Sequence, residues 1–190
     1  MQGKSAVPWI LTGEAYDERE KLALAFELNE LADVFRIFFY KAWLHYLFGQ
    51  WQPAVKLFKE AESCLLYGAG TYLTPLFYFY DALAHAALAG DHGADECPEI
   101  VRRIDRNLAQ LEVWVRFAPM NHQHKKHLME AEKARLEGRY WEAVGLYESA
   151  VQGARDNGFL NEEALAYELY GKFWTEQSKP EIAQTFLSKA

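Results

Sequence analysis

Cysteine is scarce in this 190-residue chain, which contains only two, Cys64 and Cys97. They do not form a CxxC pair, so the sequence indicates neither a disulfide framework nor a zinc site. Each cysteine is expected to be an ordinary thiol, buried or half-buried among apolar neighbours.

The chain also lacks an excess of positive charge. Lysine and arginine number 20 against 27 aspartates and glutamates, which gives a formal net charge of −7. Nucleic acids and anionic membranes both attract basic surfaces. The charge balance therefore argues against either of them as the main partner.

Long apolar runs and an N-terminal signal peptide are missing as well. Charged or ionisable side chains interrupt the most apolar windows at Arg36, Lys41, His45, Asp81 and His85. Such interruptions are not typical of a membrane-spanning helix. No membrane partner is therefore predicted, and a cytoplasmic location is expected.

Few motifs suggest catalysis, and each has a simpler structural interpretation. Gly3-Lys4-Ser5 copies the tail of a phosphate-binding loop, but the earlier glycine, the strand and the helix of that motif are absent. The sequence shows no signature of a catalytic nucleophile paired with a general base, and it shows none of the protein-kinase motifs. No catalytic residue and no cofactor are predicted, so the chain is expected not to be an enzyme.

His122, His124 and His127 form an HxHxxH pattern. Zinc normally takes further protein ligands in tetrahedral geometry, and no nearby Cys or HExxH arrangement supplies them. A capping or surface role is favoured, no metal site is predicted, and a metal-dependent activity is the least favoured alternative. The acidic pair Glu162-Glu163 and the acids Glu130 and Glu132 are interpreted as solvated helix faces.

Helical periodicity is what the sequence has in abundance. Its apolar residues, 51% of the chain, recur at the spacing of an α-helix rather than at the alternation of a strand. We predict an all-α fold of antiparallel helical hairpins forming one domain over residues 1–190. The hairpins are predicted at residues 14–66, 71–117, 122–154 and 161–190.

Two details of this prediction depend on local breaks. The stretch from Tyr16 to Leu47 fits either one long helix or two helices with a bend near Asn29. The polar stretch from Gly90 to Pro98 is predicted to be a loop between helices. Both details concern the first half of the chain.

One spacing of glycine, aromatic and alanine residues recurs along the chain. Its clearest copy has Gly138 followed by Tyr140, Ala143, Tyr147 and Ala150. The other copies are Gly49, Trp51, Ala54, Phe58, Ala61 and Ser178, Pro180, Ala183, Leu187, Ala190. A left-handed glycine can end one helix, and alanines let the next helix approach closely. In the third copy Ser178 is predicted to form a capping box with Glu181.

This pattern resembles the tetratricopeptide repeat, with Ala131 at the small position of the first helix. The resemblance implies hairpins stacked as a right-handed superhelix. The step from Ala143 to Ala183 is 40 residues, against about 34 in the family, so longer helices are expected. The 89 residues from Ala54 to Ala143 leave room for a degenerate copy.

A second resemblance covers almost the whole chain through four blocks. They are Gly3-Lys-Ser-Ala with Gly13-Glu-Ala-Tyr-Asp-Glu; Tyr46-Leu-Phe-Gly49; Phe77-Tyr-Phe-Tyr-Asp81-Ala-Leu-Ala; and Ala118-Pro-Met-Asn121 running to Asn157-Gly-Phe159 and Glu162-Glu-Ala-Leu-Ala-Tyr-Glu. Together they are similar to the helical repeat segment inside very large bacterial signalling proteins. Those proteins carry a serine/threonine kinase, a STAND-like NTPase, this segment, a GAF sensor and often the histidine kinase of a two-component system. The resemblance implies that this chain is a fragment of such a protein.

In tetratricopeptide arrays the first helix of each hairpin lines a concave groove. The resemblance places the following residues on or near that groove: Trp43, Tyr46, Lys125, Glu132, Arg135, Glu168 and Lys172. The three basic members could clamp a carboxylate, although the interspersed glutamates argue against a plain clamp. The two aromatic members fit coverage by the preceding helix equally well.

The resulting hypothesis is a non-catalytic scaffold of a multidomain signal-transduction kinase, which couples its NTPase and sensor domains. The expected partner is a protein, a peptide or a neighbouring domain of the same chain. Truncated repeat ends could also pair two copies into a homodimer. The alternative hypothesis is a regulatory module that senses a small molecule or peptide in the concave groove.

Overall fold

The computed structural model describes residues 7–13, 16–92 and 97–190. The phosphate-loop-like Gly3-Lys4-Ser5 lies outside the described residues, and so do residues 93–96 of the predicted polar loop. Where the start of that loop is described, at residues 90–92, the chain is still helical.

Helices account for most of the described residues, which confirms the all-α prediction. The elements are β1 (Thr12–Gly13), β2 (Tyr16–Asp17), α1 (Glu18–Glu27), α2 (Leu31–Leu47), α3 (Trp51–Ser63), a 3-10 helix (Leu65–Gly68), α4 (Leu73–His92), α5 (Cys97–Phe117), α6 (Pro119–Leu136), α7 (Tyr140–Asp156), α8 (Leu160–Glu176) and α9 (Pro180–Leu187). The strands were not predicted; they pair antiparallel, with Thr12 opposite Asp17. The Asp17 carboxylate then caps α1 by accepting the Arg19 N–H at 2.8 Å.

Contacts divide the chain into two compact units, Met1–Leu88 and Ala89–Ala190. The first unit contains α1 to α3 and most of α4, and the second contains α5 to α9. The single domain over residues 1–190 stays a prediction.

In the described part of the chain, five α-helices end at the same kind of turn. The residue with positive φ is Asn29, Gly49, Gly138, Gly158 or Ser178, with φ between 55 and 75°. Its N–H bonds the carbonyl three residues earlier, and the next N–H bonds the carbonyl five residues earlier. At Gly138 these bonds reach Arg135 at 3.1 Å and, from Arg139, Ala134 at 2.8 Å. The repeated turn closes each helix and starts the next within three residues.

Two turns decide questions that the sequence left open. Asn29, at φ 55°, separates α1 from α2, so the stretch before Leu47 is two helices. Ser178, at φ 56°, occupies the left-handed position, and Lys179 precedes the first residue of α9 without a side-chain cap. The predicted capping box between Ser178 and Glu181 is therefore wrong, because Ser178 ends the previous helix instead.

The alanines of the first two copies of the repeated pattern are buried. Ala54, Phe58 and Ala61 of α3 are fully buried in the first unit. In the second unit Ala143 and Ala150 are buried on either side of Tyr147, whose ring stacks on Tyr170 at 5.1 Å. The third copy is less covered, because only Ala183 is buried while Leu187 and Ala190 are exposed.

Alanine substitutions at two glycines test whether the turn at Gly138 requires a left-handed residue. Replacing Gly138 by Ala forces a side chain into φ 72° and should cost about 1–2 kcal/mol in the free energy of unfolding. Gly145 lies inside α7 with open space around its Cα, so Gly145→Ala should instead stabilise by about 0.5–1 kcal/mol. Urea unfolding measures both, and the same sign for the two variants would contradict this account.

Candidate functional site

An open cavity of about 630 Å³ lies in the first unit, between α1, α2 and the segment before them. From α2 it is lined by Asp33, Arg36, Ile37, Tyr40, Trp43 and Leu44. These positions are three or four residues apart, so they share one face of the helix. The opposite face carries Phe35, Phe39 and Ala42, which are buried in the core. Helix α2 therefore packs into the core with one face and lines the cavity with the other.

The polar groups around the cavity are partly paired. Arg36 forms an ion pair with Asp33, and the Tyr40 hydroxyl lies 2.8 Å from that of Tyr72. Burial, together with this hydrogen bond, raises the pKa of Tyr40 to about 12. Lys21 and Glu30 form no ion pair with any residue that the structure describes.

The two aromatic residues predicted for the groove have different surroundings. Trp43 is half-buried, lines the cavity and lies 5.1 Å from the ring of Tyr80. Tyr46 is only 6% exposed, and its ring lies 5.8 Å from the same Tyr80. Tyr46 therefore belongs to the core, and only Trp43 borders open space.

Lys125 lies in a buried cluster in the second unit. Its ammonium donates to Glu162 at 2.8 Å and to the Asn121 carbonyl at 2.7 Å, and it lies 4.5 Å from the Phe159 ring centre. His124 donates its Nε2–H to the same Glu162 oxygen. All three ionisable side chains are buried, so each supplies the partner that the others need in the absence of water.

The Glu162 carboxyl is held in its ionised form. Burial acts to raise its pKa, but the bonds from His124 and Lys125 outweigh burial, so the pKa lies below its ordinary value. Glu162 also lies in the first turn of α8, where the helix dipole favours a negative charge. The interpretation of Glu162 as part of a solvated helix face is wrong.

Glu132 and Arg135 form a second cluster with Tyr147 and Glu176. Arg135 donates to Glu132 at 2.8 Å and to Glu176 at 3.3 Å, while the Tyr147 hydroxyl donates to the other Glu132 oxygen. Burial and the adjacent Glu132 charge raise the pKa of Tyr147 well above its ordinary value. Glu132 is buried, so its interpretation as a solvated residue is also wrong.

Glu168 and Lys172 are the exposed members of the predicted groove. Their side chains are 46% and 50% exposed and form an ion pair at 2.5 Å along α8. Each predicted groove cation thus has its own glutamate: Glu162 for Lys125, Glu132 for Arg135 and Glu168 for Lys172. The contacts do not join the three cations into one carboxylate clamp.

Two glutamates on α8 provide a matched test of the buried cluster. Glu162→Ala leaves Lys125 buried without its carboxylate and should lower the free energy of unfolding by about 3–5 kcal/mol. Glu168→Ala removes an exposed pair and should change it by no more than about 0.5 kcal/mol. Urea titration followed by circular dichroism compares them, and equal losses would rule out a structural role for the cluster.

The histidines of the HxHxxH pattern do not converge. His124 faces Glu162, while the His127 ring lies 2.8 Å from the Gln123 amide. No group of three or more His, Cys, Asp or Glu side chains within residues 7–13, 16–92 and 97–190 is arranged to hold a metal ion. The predicted capping or surface role is wrong for His124, which is buried.

His122 should make the protein sensitive to acid. Burial, with the nearby Lys125 and His124, lowers the pKa of His122 from 6.5 to about 4. Between these values the unfolded chain binds a proton that the folded chain does not, so stability should fall as the pH drops from about 6.5 to about 4. Unfolding measured across this range should show a smaller fall for His122→Gln, and an unchanged slope would contradict the assignment.

Comparison with protein-family models, curated proteins and solved structures found no match for this chain. In the part of the chain that the structure describes, no helix is long and apolar enough to cross a membrane. The family resemblances drawn from the sequence therefore stay predictions.

Sequence reasoning missed the burial of the glutamates, although a signal was available. Glu162 stands three and four residues before Leu165 and Ala166, both of which are buried. Glu132 follows the buried Leu128 and Met129 at the same spacings. Helical periodicity thus places both carboxylates on an apolar face. The partners of these carboxylates could not be predicted from helical periodicity, because Glu162 and His124 are 38 residues apart in the sequence.

Proposed function

We propose that this chain is a non-catalytic scaffold of tetratricopeptide-like hairpins, stacked as a right-handed superhelix, that binds another polypeptide. The observation that carries the proposal is the repeated left-handed turn, whose two hydrogen bonds recur at five helix ends. The turn joins α1 to α2, α2 to α3, α6 to α7, α7 to α8 and α8 to α9 in the same way, as expected for a repeat protein. The buried alanines of α3 and α7 support the same arrangement.

Contacts between α6 and α8 give the proposal a mechanical basis. His124 and Lys125, near the start of α6, bind Glu162 near the start of α8. Arg135, near the end of α6, binds Glu176 at the end of α8. The first helices of consecutive hairpins therefore run in the same direction and are linked at both ends. Such a pair would transmit a displacement as a stiff unit rather than absorb it.

The larger context is a cytoplasmic signal-transduction kinase, in which the scaffold couples an NTPase domain to a sensor domain. The four sequence blocks that resemble such proteins support this context. The exposed Glu168–Lys172 pair supports a contact surface on α8, because it offers both signs of charge to a partner.

The genomic reading frame around this segment tests the context directly. The proposal expects a serine/threonine kinase and an NTPase to be encoded before it, and a GAF sensor after it. A frame that encodes none of these domains would overturn the signalling context while leaving the scaffold proposal intact.

The scaffold proposal can be tested by measuring whether the separately purified flanking domains bind to this chain. Titration calorimetry should detect this binding. Lys172→Glu should weaken the binding by about tenfold or more, because the substitution places a like charge beside Glu168. Lys59→Glu is the matched control, since Lys59 is exposed on α3 and outside the predicted groove. Absence of binding, or equal weakening by both reversals, would reject α8 as the contact surface.

A further inference from the structure

We propose that the cavity between α1 and α2 is a binding site for a small, uncharged, mainly apolar molecule. This inference goes beyond the scaffold function, because it assigns a ligand class to a separate place in the first unit. It gives a chemical identity to the ligand that a sensing module would detect.

The size of the cavity favours a small molecule as its occupant. Its volume of about 630 Å³ falls within the range of roughly 300–1,000 Å³ that is typical of small-ligand sites. A concave site of this kind can surround a ligand on several sides, whereas a flat surface removes less of its area from water. Here α1, α2 and the segment containing Leu11 and Tyr16 supply the walls.

The walls favour an apolar ligand. Leu24 of α1, together with Ile37, Trp43 and Leu44 of α2, provides aliphatic and aromatic surface from two helices. Leu24 is 45% exposed, so part of this surface is in contact with water when the cavity is empty. An apolar ligand would remove that surface from water, which is the main favourable contribution to binding in such sites.

The charges around the cavity favour an uncharged ligand. Arg36 is already paired with Asp33, and the remaining charged members, Lys21 and Glu30, have opposite signs. The formal charges of these four residues cancel, so the rim offers no net attraction to an anion or to a cation. A charged ligand would lose hydration on entering an apolar cavity without gaining a compensating field.

Two fluorescent probes with the same aromatic rings test both parts of the proposal. Anilinonaphthalene is neutral, and its sulfonate derivative is an anion. The neutral probe should bind with one-to-one stoichiometry, and the sulfonate should bind about tenfold more weakly or worse because its charge must be desolvated. Tighter binding of the sulfonate would overturn the uncharged class, and no binding of the neutral probe would overturn the site.

Matched substitutions locate the bound probe. Leu24→Arg places a charge on the cavity wall and should weaken binding of the neutral probe by about tenfold or more. Leu66→Arg is the control, because Leu66 is 81% exposed in the same unit and does not line the cavity. Equal affinities in the two variants would show that the probe binds elsewhere.

A second variant keeps the test decisive if Leu24→Arg fails to fold, as judged by circular dichroism. Tyr16→Arg introduces the same charge from the segment before α1, at a side chain that is exposed and lines the cavity. Tyr16→Arg should also weaken binding of the neutral probe by about tenfold or more. Unchanged binding in a folded Tyr16→Arg protein would also overturn the proposal.

Discussion

The carboxylate of Glu162 is the group on which the packing of the second unit depends. It is buried at the start of α8 and receives bonds from His124 and Lys125 of α6. A carboxylate without such partners would be costly to bury, and so would the ammonium of Lys125. The two helices therefore have a strongly preferred register, since sliding one along the other would separate charges that have no access to water.

The cluster of Glu132, Arg135, Tyr147 and Glu176 connects α6 and α8 at the other end of these helices. Glu132 accepts from Arg135 and Tyr147, and Arg135 reaches Glu176 on α8. Tyr147 is the second aromatic residue of the repeated pattern, and its bond to Glu132 links the second helix of the hairpin to the first. Buried ion pairs contribute little net stability compared with apolar packing, but they discriminate against alternative arrangements in which a charge would be unpaired.

Aromatic rings join three helices of the first unit. Phe39 packs on Phe58 at 6.3 Å, and Phe58 packs on Phe77 at 5.8 Å, which joins α2, α3 and α4 through aromatic rings. Because α2 has apolar residues on both faces, its second face remains available to line a cavity. The ligand site proposed there and the stiff helix pair proposed for partner binding thus arise from different parts of the sequence.

The sequence by itself determined that the chain is helical and where glycine ends a helix. A glycine after a helical run, as at Gly49 and Gly138, specifies a left-handed turn because the conformation is a property of a few adjacent residues. Tertiary structure alone decided that Lys125 is buried with Glu162 while Lys172 remains exposed with Glu168. Helical periodicity places Glu162 on an apolar face, but the partners that it receives there come from a helix that is distant in the chain. The cavity could not be predicted either, because the space between α1 and α2 depends on how these neighbouring helices pack.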